Sequence, residues 1–155
     1  MRKIYRVPLV AQTTPMSCWH ASALMLWYYW QGVTSRQGPM NTLANNYLND
    51  TGVHTHEFAD LASKVGLKRV SQHYPYYNSL MLCCLLTLYG PLWCDGLWFG
   101  PRHIIVLTGV DEDTIYLNDP DKGVAKQKTV KWFNEKLGVN YNTWGCIMYK
   151  DPARY

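Results

Sequence analysis

Gln12-Thr13-Thr14-Pro15-Met16-Ser17-Cys18-Trp19 leads from an extended segment into a helical pattern. Ser17 is a suitable cap, and the helix is predicted from Cys18 to Trp30, stopped by Gln31-Gly32. Trp19, Ala21, Ala23, Leu24, Met25, Leu26, Trp27 and Tyr28 are apolar on nearly all sides. That pattern predicts a central helix buried all round rather than a surface one. A cysteine therefore heads the helix, where unpaired N–H groups and the dipole favour negative charge. The thiolate is the nucleophilic form of cysteine. Gln12 lies upstream on the extended segment, and its side-chain amide can fold back beside the Cys18 N–H. Two donors converging there would hold the oxyanion of a tetrahedral acyl intermediate.

Further along, helices are predicted at Pro39–Asn49, at His56–Val65 behind a Thr55 cap, and from an Asn78 or Ser79 cap to Tyr89. After Gly90 the pattern changes. Pro91–Cys94 reads as a short strand, followed by a glycine-containing loop from Asp95 to Arg102. His103–Val110 is a β-branched run, Asp111-Glu112-Asp113 a turn, and Thr114–Asn118 a second strand ended by Asp119-Pro120. The two strands form a hairpin. A short helix at Val130–Leu137 precedes a last strand at Trp144–Tyr149. Helices followed by antiparallel strands give an α+β fold, and no linker or repeat divides residues 1–155, so one domain is expected.

A thiolate nucleophile needs a base. His103 opens a strand directly after a glycine-containing loop, a place from which a side chain overlooks a cleft. The hairpin brings Asn118 or Asp119 back to the same end, where a side-chain oxygen can fix the imidazole tautomer. Strand side chains alternate between faces, so only one of the two faces His103, and the pattern does not choose.

Composition bounds the alternatives. Of 155 residues, 48% are apolar, which excludes a disordered chain, and the 14% aromatic content predicts bulky rings in the core. The net charge of +4 is too small to demand a nucleic acid, and no apolar run is long enough for a signal peptide or a membrane span. The five cysteines are an odd number, Cys83 and Cys84 are adjacent, and no CxxC pair occurs. A disulfide scaffold and the common zinc motifs are therefore excluded, and a reducing working compartment fits. Export would use a route that does not read a signal peptide, or the chain is the C-terminal toxin domain of a longer protein.

The anchors just quoted resemble papain-like cysteine peptidases, in particular the compact bacterial branch of bacteriocin-processing peptidases and injected effectors and toxins. The resembling parts are Val7–Gln12 into Cys18–Ala23, Gly90–Trp93, His103–Val110 and Tyr116–Pro120. The resemblance implies a helical N-terminal half whose central helix carries the nucleophile, and a C-terminal half built on an antiparallel sheet. It implies Cys18 as nucleophile, His103 as base then acid, Gln12 as oxyanion donor and Asp119 as the residue orienting His103. Asn118 stays a weaker candidate, because plant papains use asparagine in that role. It further implies no cofactor or metal, a protein substrate, a cognate immunity protein as inhibitor, and action in the cytoplasm of a target cell. A cut after small residues such as Gly-Gly is implied by the bacteriocin-processing group. Arg102 departs from the glycine often found before the histidine, and Trp19-His20 departs from the Gly-Pro or Gly-Ala after the cysteine.

Trp19, Trp93 and Trp98 are expected to line a substrate groove, against the alternative that they pack in the core. Cys83, Cys84, Cys94 and Cys146 are expected to be inert core thiols. His54 and His56 flank a helix cap rather than bind a metal, and Lys122, Lys126, Lys128, Lys131 and Lys136 are expected to form a solvated basic face. Rival readings are a deamidase or transglutaminase with the same triad, a self-processing domain, and a binding module that has lost catalysis.

Overall fold

The computed structural model describes residues 1–34, 53–71, 73–138 and 143–154. Helix α1 spans Cys18–Thr34. It runs through Gly32, because a lone helical glycine costs only about 1 kcal/mol and does not end a helix packed at its other end. Trp19, Ala21, Ser22, Ala23, Met25 and Leu26 are buried, whereas Tyr28 and Val33 are exposed. Burial all round thus holds for the head of α1 only; its tail rises to the surface.

A 3-10 turn at Thr55–Glu57 leads into α2, Phe58–Val65, which ends where Gly66 takes a left-handed φ of 73°. Helix α3, Ser79–Tyr89, is capped by Asn78, whose Oδ1 accepts the Met81 N–H at 2.9 Å. Helix α4, Val130–Lys136, is capped by the Thr129 hydroxyl, which accepts the Trp132 N–H at 3.0 Å. The helix expected at Pro39–Asn49 lies outside the described residues.

The strands are β1 (Arg2–Ile4), β2 (Leu67–Arg69), β3 (Leu92–Gly96), β4 (His103–Asp111), β5 (Thr114–Asp119), β6 (Val124–Thr129) and β7 (Ile147–Lys150). They form a seven-stranded sheet in the order β2-β7-β3-β4-β5-β6, with β1 pairing onto the far end of β4. Every pairing is antiparallel. Strands β1, β2 and β6 are not anticipated by the sequence reading; Lys126 and Lys128 of the basic run lie on β6.

Strand alternation divides the core into two layers. Trp93, Ile104, Val106 and Met148 pack with Trp19, Met25 and Leu26 of α1 and with Phe58 and Leu61 of α2. Cys94, Ile105, Leu107 and Ile147 turn the other way, toward Leu82 and Leu86 of α3 and Phe133 of α4. The Trp93 indole N–H donates to the Trp19 carbonyl at 3.1 Å, locking the first turn of α1 onto β3. Cys18 is thereby held at one end of the sheet, beside the start of β4.

Candidate active site

A turn tied to itself precedes the nucleophile candidate. The Ser17 hydroxyl accepts the Thr14 N–H at 3.0 Å and donates to the Thr14 carbonyl at 3.1 Å. Ser17 caps α1 through its backbone instead, its carbonyl accepting from the N–H groups of His20 and Ala21. The Gln12 amide donates to the Thr14 and Pro15 carbonyls at 3.1 and 3.0 Å, so both of its hydrogens are engaged in holding this turn. The segment is also pinned to the hairpin: Gln12 N–H donates to the Pro120 carbonyl at 2.8 Å, and Asn118 Nδ2 donates to the Val7 carbonyl at 3.1 Å. These bonds align the entry to α1 with the end of the β4–β5 hairpin.

His103 Nε2 lies 2.7 Å from Asp119 Oδ1, and Cys18 is near enough to the imidazole to interact with it electrostatically. With Nε2 on the carboxylate, Nδ1 is the nitrogen left for the thiol. Burial alone would push His103 down. The Asp119 carboxylate and Cys18 outweigh it and hold the group up to about 9, so His103 is an imidazolium at neutral pH. Asp119 is 1% exposed. Burial pulls its carboxyl upward, but bonds from His103, from Lys126 Nζ at 2.7 Å to Oδ2, and from the Asp121 N–H at 2.9 Å leave it below the ordinary carboxylate value. Of the two hairpin-end candidates, Asp119 is the one on His103, and Asn118 bonds the N-terminal segment.

Cys18 and His103 open onto a cleft of about 400 Å³. Pro15 and Met16 form one part of its wall, His54 and His56 another, and Asp95 and Arg102 a third. The His54 and His56 rings stack at 5.4 Å, and no cluster of metal-binding side chains occurs among the described residues. Trp19 borders the cleft although only 3% exposed. Trp93 and Trp98 do not border it. Both are fully buried, Trp93 bonded to Trp19 as above and Trp98 donating to the Cys94 carbonyl at 3.2 Å against Phe133. Their rings fill the two core layers, which corrects the expectation that they line the groove. Cys94 and Cys146 are buried as expected, Cys83 is partly buried, and Cys84 is exposed rather than core.

Three residues at the site escaped the sequence reading. Lys126 sits on β6, Asp95 at the end of β3 pairs with Arg102 at 2.7 Å, and Phe99 lies 6.1 Å from the His103 ring. The Pro120-Asp121-Lys122-Gly123 stretch is a turn sequence that could have exposed β6, and with it Lys126.

Residues 1–138 match the family described as papain-like cysteine protease AvrRpt2. No curated protein matches the chain. A solved structure of a double glycine motif protease from an AMS/PCAT transporter, in complex with the leader peptide, aligns with a TM-score of 0.59 at 19% identity. The alignment covers 95% of this chain and 92% of that one, which shows the α+β fold to be papain-like. With the family match extending over most of its length, the chain is a cysteine peptidase and belongs to the papain-like cysteine protease AvrRpt2 family.

Proposed function

We propose that this peptidase cuts within polypeptide substrates through a Cys18–His103–Asp119 triad. The observation that carries the reading is one imidazole held between a buried carboxylate and the sulfur at the head of α1, at the mouth of a cleft. The Cys18 thiolate attacks a backbone carbonyl, and the oxyanion forms against the Cys18 N–H. The Gln12 amide joins it by giving up its exposed bond to Pro15, a loss that the charge on the oxyanion offsets. The C–N bond breaks as His103 gives its proton to the departing amine. Water then attacks the thioester, His103 takes its proton, and the carboxylic acid leaves with Cys18 restored. The reaction needs no metal or organic cofactor.

The chain is further proposed to act as a single domain, an effector or toxin delivered into the cytoplasm of a target cell. Its cut falls after small residues, and a cognate immunity protein covers the cleft. The cut after small residues is supported by the fold shared with a double glycine motif protease. The test is to express the wild type and Cys18→Ala in bacteria and compare new protein N-termini by mass spectrometry. New termini after small residues in the wild type alone are expected. Identical termini in both, or intact targets carrying only a deamidation mass change, would refute proteolysis by this triad.

A further inference from the structure

Lys126 belongs to the basic run that reads in the sequence as a solvated face, yet its ammonium turns inward. Nζ lies 2.7 Å from Asp119 Oδ2 and 4.1 Å above the Phe99 ring, itself next to His103. The carboxylate is thus divided between two duties. Oδ1 accepts from His103 and from the Asp121 N–H, and Oδ2 accepts from Lys126. Cys18 from α1 reaches Asp119 only through the imidazole, the Asp121 side chain is exposed, and Arg102 beside His103 in the chain is paired with Asp95 instead. Lys126 is therefore the cation that answers Asp119 from the side away from the chemistry.

We propose that Lys126 is a positioning residue, whose ammonium holds Asp119 Oδ2 and so fixes Oδ1 on His103 while balancing the charge of that pair. The inference rests on the triad reading above and deepens it. A buried carboxylate with no second counter-charge would grip the imidazolium too strongly. The proton would then be slow to leave for the departing amine. A nearby ammonium weakens that grip without touching substrate. Phe99 supports the arrangement by holding the ammonium over its ring face.

The test needs no substrate. Iodoacetamide alkylates the Cys18 thiolate, iodide leaving as the S–C bond forms, and peptide mass mapping separates Cys18 from the other four cysteines. Its rate is followed from pH 5 to pH 11 for wild type, Lys126→Met, Lys126→Arg and Asp119→Asn. The wild type should show a late inflection near the His103 value of about 9, as the imidazolium loses its proton. Lys126→Met should raise that inflection by about one pH unit, since a positive charge near the imidazolium is gone. Lys126→Arg should leave it in place, and Asp119→Asn should lower it. A merely structural role for Lys126 would move the melting temperature and not the inflection. An unmoved or lowered inflection in Lys126→Met, or an equal shift in Lys126→Arg, overturns the proposal alone. No late inflection in the wild type, or none displaced by Asp119→Asn, overturns the triad reading beneath it.

Discussion

Asp95 has no exposed surface, and its Oδ2 lies 2.7 Å from Arg102 Nη2 while Oδ1 has no partner among the described residues. Burial raises its carboxyl to about 6, and the Arg102 charge and hydrogen bond pull the other way without cancelling it. Because this value stands above the ordinary 3.8, the folded state prefers Asp95 protonated. That contribution to stability is present below about pH 4 and is lost as pH rises through 6. At neutral pH the ionised group is a cost that Arg102 moderates. Arg102→Met should therefore destabilise the protein at pH 7 by roughly 2 kcal/mol, less than for a fully buried pair because Arg102 is half-exposed to solvent. The deficit should shrink toward zero near pH 4, where folded Asp95 is protonated in both proteins and Arg102 has no buried charge to answer. Urea denaturation of both proteins at pH 4 and pH 7 checks this, and an equal deficit at the two values would contradict it.

At the scale of elements, one extra residue decides which side chain meets His103. Pairing from the turn runs Asp111↔Thr114, Val110↔Ile115 and Gly109↔Tyr116, then skips Thr108 and resumes at Leu107↔Leu117 and Val106↔Asn118. Without that bulge Asn118 would fall opposite Leu107, on the face of Ile105 and His103. With it, Asn118 shares the face of Val106, and Asp119 falls on the face of His103. The bulge is held by β1, with Tyr5 N–H donating to the Thr108 carbonyl at 2.9 Å. Gly109 lets β1 come this close, since a Cβ there would sit 2.8 Å from the Lys3 carbonyl oxygen and 2.9 Å from the Ile4 Cα. Gly109→Ala should accordingly lower stability by about 2 kcal/mol, read from denaturant midpoints, because backbone atoms cannot turn aside. A variant as stable as the wild type would mean that β1 docks more loosely than this. The choice between Asn118 and Asp119 was not legible in the sequence for the same reason, since a bulge leaves no mark in apolar alternation. Cys18, His103 and the hairpin were legible because a capped helix and a β-branched run are strong local signals. Strand β6 was not, because Val124-Ala125-Lys126-Gln127-Lys128-Thr129 is a solvent-facing edge with no apolar period. Trp93 and Trp98 misled because position beside a loop says nothing about which way an indole turns.

Across the whole molecule, the family match stops at residue 138, yet the sheet does not. Strand β7 lies between β2 and β3, pairing Lys68 with Tyr149 on one side and Cys94 with Ile147 on the other. Among the described residues it is the only strand that pairs with β2. Cys146, Ile147 and Met148 are fully buried, Ile147 in the layer against α3 and α4 and Met148 in the layer against α1 and α2. The last residues of the chain therefore close both cores at once, and the Asp95 N–H beside the cleft donates to the Cys146 carbonyl at 2.8 Å. Removing Ile147 and Met148 alone forfeits about 1.5–3 kcal/mol of burial each. It also exposes the edge of β3 and leaves β2 unpaired, against a total stability of roughly 5–15 kcal/mol for a domain of this kind. A chain ended at Gly138 should consequently lack a cooperative unfolding transition and lose preferential alkylation of Cys18. Circular dichroism melts with iodoacetamide mapping decide the matter. A truncated chain that melts cooperatively and still labels at Cys18 would show that the core closes without β7.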